Sequence, residues 1–566
     1  MSLQWQLSGE PAEKEIPVNS GFVRRFPWSS FRVLPQPLRR LLPFAAAVGG
    51  GLLLALAFPP VHIDFLAWIA FVPLFWALNN EARPGWAFLY GTAFGIAFFL
   101  VDVRWTYGTM ILHGHFAPYS AGGVFVGLVL TLALFPAAFA LGLCLAARKG
   151  FRPSLAAPFL WTCTEYLRTV AFTGFPWDLV GYSQFGRLIL LQVADLTGVY
   201  GISFLVLLVN AALWEIIRTR GAGEAFPARL VSVVALMLVL TLGYGAMRMR
   251  EFPNSGSTEP NVVVGVLQGN IPQDIKWEAA ARYHTFAAYE RLGLRAREQG
   301  ARLLVWPETA APVLFGSRDE DWKRPGEISS RLGVPMLVGA PSTRTMDSHT
   351  HYFNSAFLID AGMLRFRYDK IHLVPFGEYM PLSWLLPLGP GIAARDADYS
   401  PGDKMTVMSF PGLPHFSVLI CYEAIFPELA RLALSNGATL LVNITNDGWF
   451  GDSAAPYQHL AMAGMRSIEN RVWLVRAANT GVSAAFDPAG RMVASIPLQE
   501  EGMLTVAVPE SPRVGCFYSR FGDLFAWSCV LACILLAVSA GAESRKSRIF
   551  MRLKLPPDSQ PRGGSN

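Results

Sequence analysis

Phe416-Ser-Val-Leu-Ile-Cys421-Tyr422-Glu423 reads as a strand that runs into a helix and leaves a cysteine at the junction. Beyond it Ile425, Leu429, Leu432 and Ala433 recur on one face at helical spacing. A helix beginning right after Cys421 turns backbone N–H groups and the positive end of its dipole toward the sulfur. That setting matters because a free thiol has a pKa of ~8.5 and needs a base or a positive environment to become a nucleophile. Two candidate partners lie upstream. Trp306-Pro307-Glu308 ends a strand-like run, and strand ends of parallel-type sheets are where sites assemble. Tyr368-Asp369-Lys370 precedes a turn-rich segment, Ile371-His-Leu-Val-Pro-Phe-Gly-Glu378-Tyr379, able to fold over a pocket. A thiol, a carboxylate and an ammonium suffice for covalent acyl transfer. Taken singly, each has a plainer explanation: a buried filler cysteine, a solvated turn glutamate, a surface lysine.

The same texture extends over residues 251–515, where apolar runs are short and Pro, Gly, Asn and Asp turns separate them. Strand-like runs occupy 261–267, 302–306, 334–339, 355–359, 416–420 and 438–443, with a helical pattern over 279–297. Alternating strands and helices argue an α/β layered domain.

The rest of the chain is different. With 52% hydrophobic and only 16% charged residues in 566, and a mean hydropathy of +0.34, the protein exceeds what a soluble globular chain shows and reads as an integral membrane protein. About eight apolar segments of roughly spanning length lie at 41–58, 64–79, 86–103, 122–146, 155–172, 197–217, 229–247 and 522–541. Net charge is +6, yet Arg and Lys gather beside these segments, as at Arg39 and Arg40, Arg148 and Lys149, and Arg545 and Lys546. Basicity therefore reports orientation rather than nucleic-acid binding, and both termini are expected inside the cell with the large insert outside. The expected organisation is a basic cytoplasmic segment over 1–40, a transmembrane domain over 41–250 and the external domain over 251–515. A last span over 516–545 and a cytoplasmic tail over 546–566 complete it. No cleavable signal peptide is expected, because the first apolar run starts late and further spans follow. The first ~20 residues and the tail after 555 read as loosely ordered.

Of six cysteines, Cys144, Cys163, Cys529 and Cys533 fall in spans and read as small apolar fillers. Cys421 and Cys516 lie outside; a bridge between them is disfavoured, since one ends a core strand and the other abuts the last span. No CxxC or His-rich spacing suggests a metal, and no cofactor is implied. Glu165 and Arg168, near a span, are costly unless paired or facing a cavity.

The joint arrangement of Glu308 in Trp-Pro-Glu, Lys370 in Asp-Lys-Ile-His-Leu-Val-Pro-Phe-Gly-Glu and Cys421 in Ile-Cys-Tyr-Glu resembles the Glu-Lys-Cys triad of the carbon–nitrogen hydrolase (nitrilase) superfamily. Gln268-Gly-Asn-Ile-Pro-Gln273 with Trp277, Asn443-Ile-Thr-Asn-Asp447-Gly-Trp449-Phe-Gly451, Trp161-Thr-Cys-Thr-Glu165-Tyr-Leu-Arg168, and Gly174-Phe-Pro-Trp177 followed by Gly181-Tyr-Ser-Gln184 are similar to its membrane branch, the apolipoprotein N-acyltransferases. The likeness runs from about Leu41 to about Ala540. It implies a polytopic α-helical membrane domain carrying a nitrilase-like αββα sandwich in the periplasm, on the outer face of the bacterial inner membrane. It also implies transfer of an acyl chain from a glycerophospholipid to the α-amine of the S-diacylglyceryl-cysteine of apolipoproteins.

On that resemblance Glu308 is the general base, Cys421 the nucleophile that carries a thioester, and Lys370, with the backbone N–H of Tyr422, the oxyanion holder. Glu378 would orient Lys370, and Glu423 would position a catalytic group or cap the new helix. Trp277, Asn354, Tyr379, Pro381 and Trp384 are substrate-binding candidates. A segment over 375–388 hinged at Gly377 would shield the thioester from water. His372 and His459 invite a Cys–His scheme, but the resemblance gives the base to Glu308. Expected partners are the phospholipid donor, the lipoprotein acceptor and membrane lipids, with no nucleic acid, for a chain acting as a monomer. A membrane-tethered amidase or nitrile hydrolase would share triad and fold and differ in using water as acceptor. A transporter or scaffold would instead tolerate Cys421→Ala.

Overall fold

The short apolar runs downstream of residue 260 form twelve strands in the computed structural model, which describes residues 36–553 apart from 80, 82, 115, 253–260, 317–319, 381–397 and 510–514. The loosely ordered ends expected from composition lie outside the described residues. In chain order the strands are β1 (Asn261–Gln268), β2 (Leu303–Val305), β3 (Met336–Met346), β4 (His349–Asp360), β5 (Met363–Asp369) and β6 (Val407–Met408). There follow β7 (Phe416–Ile420), β8 (Leu440–Thr445), β9 (Trp473–Ala478), β10 (Ser483–Phe486), β11 (Met492–Ile496) and β12 (Gly502–Pro509). They build two six-stranded sheets, ordered β12-β1-β2-β3-β4-β5 and β11-β10-β9-β8-β7-β6. In each, three central strands are parallel: β1, β2 and β3 in one, β7, β8 and β9 in the other.

Side chains alternate between faces along a strand, and here the alternation divides two cores. Val264, Val266, Leu303, Val305 and Leu337 share one core with Val418, Ile420, Val442 and Ile444 of the second sheet. Their neighbours Leu304, Met336 and Val338 pack instead with Phe286, Tyr289 and Ile328 of the helices Ala279–Glu298 and Glu320–Leu332. The sheets therefore face each other, with helices outside, in the αββα order that the family resemblance implies. Each fully buried Val, Leu or Ile contributes about 1.5–3 kcal/mol to holding these layers.

Upstream, four helices among the described residues are long and apolar enough to cross a membrane: Pro84–Asp102, Pro118–Arg148, Val199–Ala222 and Ala228–Glu251. They coincide with four of the expected spans. The expected span at 64–79 is corrected: it is a 3-10 turn, Asp64–Trp68, and a separate helix, Val72–Asn79. Pro73 sits in the first turn of that helix, where its missing N–H is harmless, and bars continuation from upstream. Eight residues rise only ~12 Å, against ~30 Å of hydrocarbon. The segments expected at 41–58, 155–172 and 522–541 are helices Gln36–Ala55, Pro153–Val170 and the start of Leu524–Leu553.

Close approach of two spans rests on Gly91 and Gly95, four apart on one face of Pro84–Asp102. A Cβ on Gly95 would lie 2.8 Å from Ala133 Cα and one on Gly91 2.7 Å from Ala137 Cα, so any side chain there forces the helices apart.

The sandwich sits on the helices through Ala455–Asn470, buried almost throughout. Trp177 Nε1 donates to Gln458 Oε1 at 2.9 Å, Val199 N to Glu469 Oε1 at 3.0 Å, and Arg466 to the Tyr182 hydroxyl at 2.6 Å. Arg471 pairs with Asp195 at 2.8 Å. Glu165 and Arg168 are both buried and both partnered: Glu165 Oε1 accepts from Val180 N at 2.7 Å and Arg168 donates to Trp177 O at 2.7 Å. A polar seam thus ties the membrane-side loop 171–186 to the layer that carries the cysteine.

Candidate active site

The ends of β2, β5, β7 and β8 meet, and each delivers one polar group. Glu308 follows β2; its Oε2 accepts from the backbone N–H of Asn446, beyond β8, at 2.8 Å, and its Oε1 accepts from Asn354 Nδ2 at 2.7 Å. The same Asn354 amide donates to Glu378 Oε1 at 2.7 Å, so one side chain on β4 spaces two carboxylates. Lys370, just past β5 and 1% exposed, has its Nζ 2.8 Å from Glu378 Oε2 and 3.8 Å from Glu308 Oε1. Glu378 Oε2 also accepts from Val374 N at 2.8 Å, which wraps the turn-rich segment around the ammonium. Burial alone would pull the Lys370 ammonium down; Glu378, then Glu308 and Cys421, outweigh it and hold the group firmly charged.

Cys421 closes the group. It is buried and its backbone lies in the left-handed region at φ 52°, unusual for a residue with a side chain and a mark of strain held by its surroundings. Burial and then the Glu308 charge push its thiol up, with Lys370 opposing. In the resting site the sulfur stays a thiol, so a base must take its proton.

What holds the strained turn lies beneath. His459 Nε2 is 3.0 Å from the Cys421 carbonyl oxygen, and its Nδ1 is 3.1 Å from Asp447 Oδ1. Arg476 donates to Asp447 Oδ2 at 2.6 Å and makes a short contact with Asn443 Oδ1. Despite burial, Arg476 brings the Asp447 carboxyl down to about 2, whereas burial and Arg476 push His459 down, toward the neutral ring. With its proton on Nε2 the neutral ring donates to the Cys421 carbonyl, and its Nδ1 accepts from Arg476 at 3.2 Å. Glu423 clamps from the other side: Oε1 accepts from the Tyr368 hydroxyl at 2.7 Å and from Ile371 N at 2.7 Å, and Oε2 from Ile420 N at 2.7 Å.

Some sequence expectations change here. The segment after Cys421 is not an α-helix but a five-residue 3-10 turn, Cys421–Ile425; the helix begins at Pro427, which suits a first helical turn. A short 3-10 turn offers little dipole, so the charge that acts on the sulfur comes chiefly from side chains. Glu423 caps and clamps backbone and touches neither Glu308 nor Lys370 by hydrogen bond. The Asn354 Nδ2 is taken up by the two carboxylates, while its buried Oδ1 has no partner among the described residues. Trp277 is half exposed, and Tyr379 is half-buried with its hydroxyl toward Thr173. Pro381, Trp384 and most of the shielding segment expected over 375–388 lie outside the described residues. Cys421 and Cys516 are both free. His372 stacks on Phe426 with centroids 3.8 Å apart, and burial and Lys370 lower it to about 4, which leaves it uncharged.

Sequence reasoning missed Asn354 as a spacer, the His459–Asp447–Arg476 support and a buried lysine, Lys276, whose Nζ donates to Thr309 Oγ1 at 2.9 Å beside Glu308. Asp447 lay inside a quoted motif; the others gave only a polar residue in an apolar neighbourhood.

The chain is similar to known proteins along most of its length. The family profile described as the apolipoprotein N-acyltransferase N-terminal domain matches residues 50–212, and the one described as carbon-nitrogen hydrolase matches 263–512. An apolipoprotein N-acyltransferase of Geobacter metallireducens is 41% identical over 91% of this chain and 98% of its own length. One of Methylococcus capsulatus is 35% identical over 86% and 93%. A solved nitrilase-superfamily amidase of Nesterenkonia AN1 is 23% identical, covers 45% of this chain and 94% of its own, and superposes with a TM-score of 0.34. With both of the family's parts present in order and relatives matched nearly end to end, the chain belongs to the apolipoprotein N-acyltransferase family.

Proposed function

We propose that this protein N-acylates apolipoproteins by a ping-pong reaction at Cys421. The observation that carries the reading is the buried constellation in which Lys370 lies between Glu308 and Glu378 while feeling the Cys421 sulfur. Glu308 takes the thiol proton; the thiolate attacks a phospholipid ester; the oxyanion is held by the Lys370 ammonium and the Tyr422 N–H. Glu308 returns the proton to the departing lysophospholipid, leaving a thioester. The α-amine of a diacylglyceryl-cysteine, with a pKa of ~7.7–8.0, then attacks that thioester. Glu378 and Asn354 are the groups that orient Lys370 and Glu308.

The membrane helices fit this chemistry. Drawing an acyl chain into water costs about 0.8 kcal/mol per CH₂, so both lipids are best delivered from the bilayer plane. The Tyr422 hydroxyl reaches Gly174 O at 3.3 Å, which links the residue after the nucleophile to the loop 171–186. On that loop Phe172 is 98% exposed, a side chain suited to lipid. We infer the orientation of the charge pattern: both termini inside, the sandwich outside the inner membrane, Trp277 and Tyr379 lining the approach.

The test pairs a phospholipid donor with a diacylglyceryl-cysteinyl peptide. Wild type should yield N-acyl peptide and lysophospholipid in equal amounts, and Cys421→Ala neither. Free fatty acid released at the same rate with and without peptide would favour the hydrolase reading instead.

A further inference from the structure

Lys276 is 1% exposed, and among the described residues its Nζ donates one hydrogen bond, to Thr309 Oγ1 at 2.9 Å. No carboxylate among the described residues lies within ion-pair distance of it. Its chain neighbours Asp274 and Glu278 are exposed, and the charge that acts on it is Glu308, next to Thr309. The loop that carries it is fastened to the site: Asn446 Nδ2 donates to Gln273 Oε1 at 2.7 Å, while Asn446 N holds Glu308. A lysine this buried, with no counter-ion contact among the described residues, favours the neutral amine, a base. Burial brings the Lys276 ammonium down to about 7, with Glu308 opposing.

The proposed reaction lacks such a base. An α-ammonium that becomes an amide gives up two protons. One passes through Glu308 to the Cys421 sulfur as the C–S bond breaks; the other has no acceptor within the triad. The first half-reaction has no such surplus, because the thiol proton ends on the departing lysophospholipid.

We propose that Lys276 is the second proton acceptor of the site, taking through the Thr309 hydroxyl the proton that the incoming α-ammonium sheds before its nitrogen attacks the thioester. The role rests on the ping-pong reading above. Lys276 then returns the proton to solvent on product release, and the site needs no co-reactant.

The two half-reactions separate the role from structural support. Full-length protein in mixed micelles of phosphatidylethanolamine and phosphatidylglycerol is first mixed without acceptor, and the thioester is then chased with a diacylglyceryl-cysteinyl peptide. Lys276→Met should form the thioester within about twofold of wild type. Its aminolysis at pH 7 should fall about tenfold or more, and should recover toward pH 9 as the acceptor amine, of pKa ~7.7–8.0, loses its proton in solution. Lys276→Arg, which is bulkier but stays charged, should show the same split and serves if the Met variant does not fold. Equal losses in both halves, or an unchanged aminolysis rate at pH 7, would overturn the proposal. A wild-type protein that forms no thioester at all would instead remove the ping-pong reading on which it stands.

Discussion

Replacing Asn354 with leucine removes one of the two hydrogen bonds that fix Glu308 and leaves the other, from Asn446 N, in place. A hydrogen bond to a charged group is worth about 1.5–3 kcal/mol. If that energy holds Glu308 in line with the sulfur, its loss lowers kcat by about 10- to 150-fold, at one decade per 1.36 kcal/mol. KM for phospholipid should stay within about twofold, because a positioning group acts on the transition state and not on substrate binding. Asn354→Asp should be worse, since it sets a third carboxylate 2.7 Å from two others. At an effective dielectric near 20 each such contact is repulsive by roughly 6 kcal/mol before relaxation or protonation. The assay is lysophospholipid release over a range of donor concentration, alongside thermal unfolding to set aside misfolded protein. A well-folded Asn354→Leu that raises KM and spares kcat would refute the spacer role and return Asn354 to substrate binding.

His459→Gln can still present an N–H toward the Cys421 carbonyl and should retain more thioester formation than His459→Ala, by about tenfold; equal rates would deny the hydrogen bond a role. Asp447, held down to about 2, contributes stability that is complete above its unfolded pKa near 3.8 and is lost as pH falls through 2. Asp447→Asn, which breaks a buried pair with Arg476, should therefore unfold about 3–5 kcal/mol more easily at pH 6, and the gap to wild type should narrow below pH 4. A gap independent of pH contradicts the assignment. Gly95→Val should destabilise the helical region by about 1–3 kcal/mol or more, read as a lower unfolding temperature in detergent; no change would mean that the two spans do not pack as closely as described.

The strand ending at Cys421, Glu308 at its strand end and the charged turn around Lys370 were legible because each sits in a local pattern of apolar run, turn and polar residue. An α/β layered domain was legible for the same reason, from short apolar runs such as β1 and β7 alternating with helical patterns, while the αββα order came with the family resemblance. What escaped was set by pairing at a distance: Gln458 and Trp177 are 281 positions apart, Asp447 and Arg476 29, Lys276 and Thr309 33. No local period marks such partners. The helix read after Cys421 failed for a local reason, Pro427, whose preference for a first turn moves the helix start well beyond the cysteine. The span read at 64–79 failed likewise at Pro73, because total hydropathy does not register a break in backbone hydrogen bonding.

Intact-mass spectrometry of the full-length protein after incubation with phospholipid alone tests the central claim most directly. The account predicts one added acyl group on Cys421, absent in Cys421→Ala and in Glu308→Gln, that disappears when a diacylglyceryl-cysteinyl peptide is supplied. Unmodified wild-type protein that nevertheless transfers acyl chains to the peptide would contradict it.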